Sequence, residues 1–88
     1  MVADFDSAKN ALNIAKHGID FAMVGAFEWD TAVVEEDRRK DYGENRWNAL
    51  GYIGLRLHCL VFTIRDGDVR PISLRRANRR ENGRYAET

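Results

Sequence analysis

Residues 55–64 constrain the fold more than any other stretch of the chain. Side chains alternate along extended backbone. Here both faces come out apolar, with Leu57, Cys59 and Val61 on one side and Leu60, Phe62 and Ile64 on the other. A strand of that kind belongs inside a sheet, covered above and below. Asp66-Gly67 follows it, a strong tight-hairpin signal. Residues 69–76 then read as the next strand, in which Ile72 and Leu74 alternate with Ser73 and Arg75. Upstream, 45–53 reads as a strand with Trp47, Ala49, Gly51 and Ile53 on one face. Arg46, Asn48, Leu50 and Tyr52 lie on its other face, and Gly54 marks the turn out of it. A first strand of β-branched content falls at 31–36. Strands joined by hairpins give an antiparallel sheet.

Before Trp29 the period is helical. A first helix is expected over 6–17, with Asp6 as N-cap and Gly18 as the left-handed stop. Ala8, Ala11, Leu12 and Ala15 form a narrow apolar stripe on it, the face such a helix turns to a core. Lys9, Asn13, Lys16 and His17 fall on its polar side, and Ile14 and Ile19 are spaced to touch across its end. A second short helix is expected over 20–28, capped by Asp20 and burying Phe21, Met23, Val24 and Phe27. A C-terminal helix is expected over 78–86, where Asn78 and Glu81 have the spacing of a capping box and Gly83 weakens the interior. The fold class is therefore α+β: two N-terminal helices packed on a small antiparallel sheet of about four strands, with a C-terminal helix.

The 88 residues suit one domain, 1–88. No apolar run approaches the roughly 20 residues that cross a bilayer. Asp4 and Asp6 stand where a signal peptide would be basic. The lone Cys59, in an apolar run, suits a small core residue in a reducing compartment. A cytoplasmic protein without a membrane partner is expected. The net charge of zero conceals an asymmetry. Residues 1–44 hold five Lys/Arg and ten Asp/Glu, a net of −5, and residues 45–88 hold nine Arg and four Asp/Glu, a net of +5. Six of the fourteen basic residues fall between Arg70 and Tyr85. Guanidinium groups bind phosphate and carboxylate in a bidentate fork. The chain either presents a basic face to an anionic partner or pairs its own halves.

The chemistry available is narrow. His17 and His58 are far apart, no Cys/His spacing suits a metal, and no glycine-rich phosphate loop is present. No cofactor or metal is expected. Cleavage of RNA without a metal needs a group that takes the 2′-hydroxyl proton, a cation on the phosphorane, and an acid for the leaving oxygen. Arginines supply the cation, with Glu44, His17 or Tyr85 for the proton transfers. Each residue also has a structural reading. His17 complements a helix C-terminus, His58 is a satisfied buried imidazole, and Trp29 and Trp47 are core. Glu44 pairs with Arg46 or Arg38, Tyr85 anchors the last helix, and Arg38-Arg39-Lys40 is a solvated loop.

Three blocks together resemble one family. They are Phe5-Asp6-x-x-Lys9-x-x-x-Asn13-x-x-Lys16-His17-Gly18-Ile19-x-Phe21, then Tyr42-Gly43-Glu44-x-Arg46 followed by Gly51, then Ile72-Ser73-x-Arg75-Arg76-Ala77-x-x-Arg80-Glu81-x-x-x-Tyr85. In order and spacing they resemble the BrnT toxins of type II toxin–antitoxin systems, over essentially the whole chain. The resemblance implies a RelE/ParE-like fold and a ribonuclease that arrests translation and growth. It implies neutralisation by a cognate BrnA-like antitoxin, through which alone the complex reaches operator DNA. It places catalytic weight on Glu44, Arg75, Arg76, Tyr85 and His17. RNA binding is assigned to Lys9 and Arg46, with Arg65 and Arg80 as further basic contacts. The chain departs from the family pattern at Phe5, where a Trp is usual, at Pro71 and at Gly83. The rival reading is a non-catalytic interaction module whose basic face binds an acidic protein or nucleic acid.

Overall fold

The strand that is apolar on both faces lies inside a four-stranded sheet. The computed structural model describes residues 5–39 and 41–88. Asp4 and Lys40, used above in reading the N-terminus and the charged loop, lie outside the described residues. The strands are β1 (Val33–Asp37), β2 (Arg46–Ile53), β3 (Arg56–Arg65) and β4 (Asp68–Arg76). They pair antiparallel in the order β1-β2-β3-β4. Leu60 and Phe62 of β3 join Ala49, Ile53 and Leu74 in the main core beneath Phe21, Val24 and Phe27. On the opposite face Leu57 and Cys59 form a smaller cluster with Leu50, covered by Tyr52, Ala77 and Tyr85. Phe21, Leu60 and Leu74 are wholly buried, and each contributes about 1.5–3 kcal/mol of hydrophobic stabilisation.

The turns follow the sequence signals. Asp66 and Gly67 both have positive φ, 54° and 82°, as the favoured two-residue hairpin turn requires. Leu55 falls at the tip of the preceding hairpin, 98% exposed, so β3 starts one residue later than its apolar run. The β3–β4 register slips between Val61, opposite Ser73, and Phe62, opposite Pro71. Ile72 is left without a partner and half-buried, whereas Leu74 is core. Proline has no N–H to give, and it sits at this irregularity on an edge strand, where that loss is tolerated.

The N-terminal region departs from expectation in two ways. First, α1 (Ser7–His17) has the expected ends. Asp6 Oδ1 accepts from the Ala8 and Lys9 N–H groups, and the Gly18 N–H donates to the Ile14 carbonyl at 2.7 Å. Its buried face is the reverse of the one read from hydropathy. Ala8, Ala11, Leu12 and Ala15 face solvent, Leu12 at 71%, while Asn13 is buried and Asn10 and His17 are half-buried. The cause is the surface on which α1 docks. It packs against β4, whose outer edge carries backbone groups with no neighbouring strand. Asn13 Nδ2 donates to the Leu74 carbonyl at 2.8 Å and to the Ile19 carbonyl at 2.9 Å, and Oδ1 accepts from the Leu74 N–H at 3.1 Å. Asn10 Oδ1 accepts from the Phe21 N–H at 2.8 Å. A buried strand edge needs hydrogen bonds more than methyl groups, so amides line the contact.

Second, the helix expected over 20–28 is a 3₁₀ segment, Phe21–Ala26, so a single α-helix precedes the sheet rather than two. Asp20 caps it as expected, through the Ala22 N–H. Its buried residues Phe21 and Val24, with the buried Phe27 at its C-cap, recur every third position, which is the 3₁₀ repeat. Met23 is 44% exposed rather than buried. A further 3₁₀ turn, Trp29–Thr31, delays β1 to Val33. At the other end, α2 (Arg79–Ala86) carries both halves of the capping box between Asn78 and Glu81.

Candidate active site

Arg75 is placed by two local devices. The alternation of β4 turns its side chain to the outer sheet face, opposite Cys59. The capping box of α2 then brings Glu81 back against it. Arg75 Nη1 donates to Glu81 Oε1 at 2.7 Å and Nη2 to Oε2 at 2.8 Å, a bidentate fork. Glu81 Oε1 also accepts from the Asn78 N–H at 2.9 Å. The pairing holds the Glu81 carboxyl below its ordinary range, chiefly through the Arg75 hydrogen bond, and raises the Arg75 guanidinium in turn.

Two concavities meet at Arg75. One is a groove of about 500 Å³ on the outer sheet face, with Asn48 and Cys59 on its floor and Arg39, Arg80 and Arg84 on its rim. The other, about 530 Å³, lies where the end of α1 meets the end of β4 and is lined by Lys16, His17, Arg75 and Arg76. Burial first, then the nearby Lys16 and Arg75 cations, lower the proton affinity of His17. These effects favour the uncharged imidazole, the form that can accept a proton, in a hollow it shares with two guanidinium groups.

Of the other site residues expected from the sequence, Arg80 alone shares a hollow with Arg75. Glu44 lies between two arginines, Oε2 to Arg46 Nη2 at 3.7 Å and Oε1 to Arg65 Nη2 at 3.6 Å. The Arg46 guanidinium stands 4.0 Å over the Tyr42 ring. The strand register puts this cluster at the opposite end of the sheet from Arg76. Tyr85 donates its hydroxyl to the Thr31 carbonyl at 2.8 Å and packs edge-on against Tyr52. Lys9 is exposed on α1, and Arg80 is exposed on α2 at the groove. In the charged loop, Arg38 returns to Glu36 and Arg39 forks onto the buried Asp37. The Arg39 fork and the Tyr42 hydroxyl hold the Asp37 carboxyl well below the usual range. Trp29 and Trp47 pack on the core, both against Phe62.

The sequence alone missed Glu81 as the clamp on Arg75, and Lys16 as a wall of the His17 pocket. Glu81 was visible as a capping acid, but its second contact depends on how α2 leaves the sheet. The Cys59 thiol is pushed up by burial, which makes it a poor nucleophile. Among the described residues no three His, Cys, Asp or Glu side chains converge to hold a metal ion. No helix among them is long and apolar enough to cross a membrane.

Arginine-lined hollows that meet at a clamped guanidinium, with an imidazole alongside, make an arrangement that suits an anionic ligand. The model of one protein family, described as the ribonuclease toxin BrnT of type II toxin–antitoxin systems, matches residues 5–81. The chain belongs to this family. Membership brings with it an RNA substrate and an antitoxin partner. The match spans His17, Glu44, Arg75 and Arg76 and stops short of Tyr85. No curated protein sequence matches the chain.

Proposed function

We propose that this chain is an endoribonuclease toxin that cleaves RNA without a metal ion, with the scissile phosphate at Arg75 and Arg76. The observation that carries the reading is the hollow in which His17 stands with Arg75 and Arg76, a setting that favours the proton-accepting form of the imidazole. His17 takes the proton of a 2′-hydroxyl as its oxygen attacks the adjacent phosphorus. Arg75 and Arg76 stabilise the charge that builds on the phosphorane. The bond from phosphorus to the 5′-oxygen breaks, and that oxygen leaves with a proton. The products are a 2′,3′-cyclic phosphate and a 5′-hydroxyl. Arg80 and Arg84 hold flanking phosphates along the groove, and Lys9, Arg46 and Arg65 extend the basic track. Glu44 and Tyr85 stand away from this pocket and act on structure, one holding the loop and the other anchoring α2.

In the same reading, residues 1–88 are a single toxin domain of RelE/ParE-like architecture acting in the cytoplasm. Cleavage arrests translation. A BrnA-like antitoxin silences the toxin and provides its only link to operator DNA. The test is incubation of the purified chain with a single-stranded RNA in excess EDTA, followed by analysis of the product ends. Cleavage leaving cyclic phosphates supports the proposal. Salt-sensitive binding with no product would instead favour an interaction module.

A further inference from the structure

The chain has a second imidazole, and the mechanism above makes no use of it. Arg76 lines the His17 pocket and also a neighbouring trough of about 460 Å³, whose walls include Asp20, Arg56 and His58. Gly18 and Ile19 belong to both hollows, so the two adjoin across the end of α1. His58 stands directly opposite Arg76 in the β3–β4 register. Its Nδ1 lies 2.8 Å from the Arg56 carbonyl oxygen. A carbonyl can only accept, so Nδ1 carries the proton and Nε2 is the nitrogen left for other chemistry.

His58 is 7% exposed, yet it lines the trough. The buried polar side-chain atoms without a partner, among the described residues, are Arg46 Nε and Asn48 Oδ1. His58 Nε2 is not one of these atoms and makes no hydrogen bond among the described residues, and His58 is part of the trough's lining. A histidine used only for packing gains nothing from an open ring nitrogen. A ring fixed in one tautomer, with its second nitrogen unbonded and two arginines lining the same hollow, is equipped to transfer a proton.

We propose that His58 is the general acid of the cleavage, with Arg76 on the phosphate between the two histidines. The proposal rests on the ribonuclease reading above. As the bond from phosphorus to the 5′-oxygen breaks, protonated His58 gives its Nε2 proton to that oxygen and ends neutral. His17 ends protonated, and exchange with water restores both.

A leaving group that needs no proton separates this role from a structural one. Wild type, His58→Gln, His58→Asn and His17→Ala are compared on an RNA oligonucleotide and on uridine 3′-(4-nitrophenyl phosphate). The expected result for both His58 variants is a loss of roughly 10²–10³-fold on RNA and less than about tenfold on the aryl ester. His17→Ala is expected to lose both activities. If both His58 variants cleave RNA within about threefold of wild type, or lose the two substrates equally, His58 is not the acid, while the ribonuclease reading stands. If wild type cleaves neither substrate, both proposals fall together.

Discussion

The Asn13 side-chain amide closes the outer edge of the sheet on Leu74. It donates to the Leu74 carbonyl at 2.8 Å and accepts from the Leu74 N–H at 3.1 Å. The amide thus takes the place that a fifth strand would occupy, which blunts an edge that could otherwise pair with another chain. The same contact fixes α1 along β4 and brings His17, one turn further on, to the end of the strand beside Arg75. One buried amide thereby ties the fold to the proposed chemistry.

Asn13→Ala should leave two buried backbone groups of Leu74 without partners. The expected cost is about 2 kcal/mol, a fall of roughly 10 °C in Tm for a domain of this size. Leu12→Ala, on the neighbouring position of the same helix, should change stability by less than about 0.5 kcal/mol because Leu12 faces solvent. Thermal melts of the two variants read the orientation of α1 directly. A large loss for Leu12→Ala with little for Asn13→Ala would mean that the helix docks by its apolar stripe.

That contrast also shows what the sequence could tell. The sheet was legible because β2 and β3 obey the rule that apolar means buried, and because Asp66-Gly67 admits few alternatives. The face of α1 was not, because it meets a bare strand edge, and hydropathy cannot anticipate a partner that demands amides. Phe21, Val24 and Phe27 were recognised as buried, but their three-residue spacing pointed to a 3₁₀ segment where an α-helix was expected. At the site, the run Arg75-Arg76 was conspicuous. The hollow it shares with His17 joins the two ends of the chain beside the Asn13 contact, and no local pattern encodes that. Glu44 and Tyr85 each carried a chemical and a structural reading; the structure gives Glu44 two arginines, Arg46 and Arg65, and Tyr85 the Thr31 carbonyl.

The Glu81 clamp has a pH signature. Its folded pKa lies below the ordinary value of 4.5, so its contribution to stability is fully present above that value and is lost as pH falls through the folded pKa. Glu81→Gln should therefore lower Tm at pH 7, and the gap to wild type should narrow as pH falls below about 4.5. Asp6, Asp20 and Asp37 also have lowered pKa values. They are present in both proteins, so the difference isolates Glu81. A gap independent of pH would show that the Arg75 pairing contributes nothing specific to the charge.

His17 offers a reading that needs no substrate. Burial, Lys16 and Arg75 hold its pKa below 6.5. An NMR titration of the imidazole should place it there in the wild type and at a higher pH in Arg75→Ala, which lacks one of the two cations. An unchanged midpoint would separate the two groups electrostatically. In the proposed mechanism the same ionisation lowers cleavage as pH falls through the His17 pKa, because the protonated ring can no longer accept the 2′-hydroxyl proton.

The most direct measurement is RNA cleavage in EDTA by wild type and Arg75→Ala at equal concentration, with circular dichroism confirming that the variant is folded. Loss of a guanidinium from the phosphorane should reduce the rate by roughly 10²–10³-fold, and the variant should no longer arrest growth at matched expression. A folded Arg75→Ala that cleaves RNA and arrests growth as wild type does would contradict the placement of the active site at Arg75.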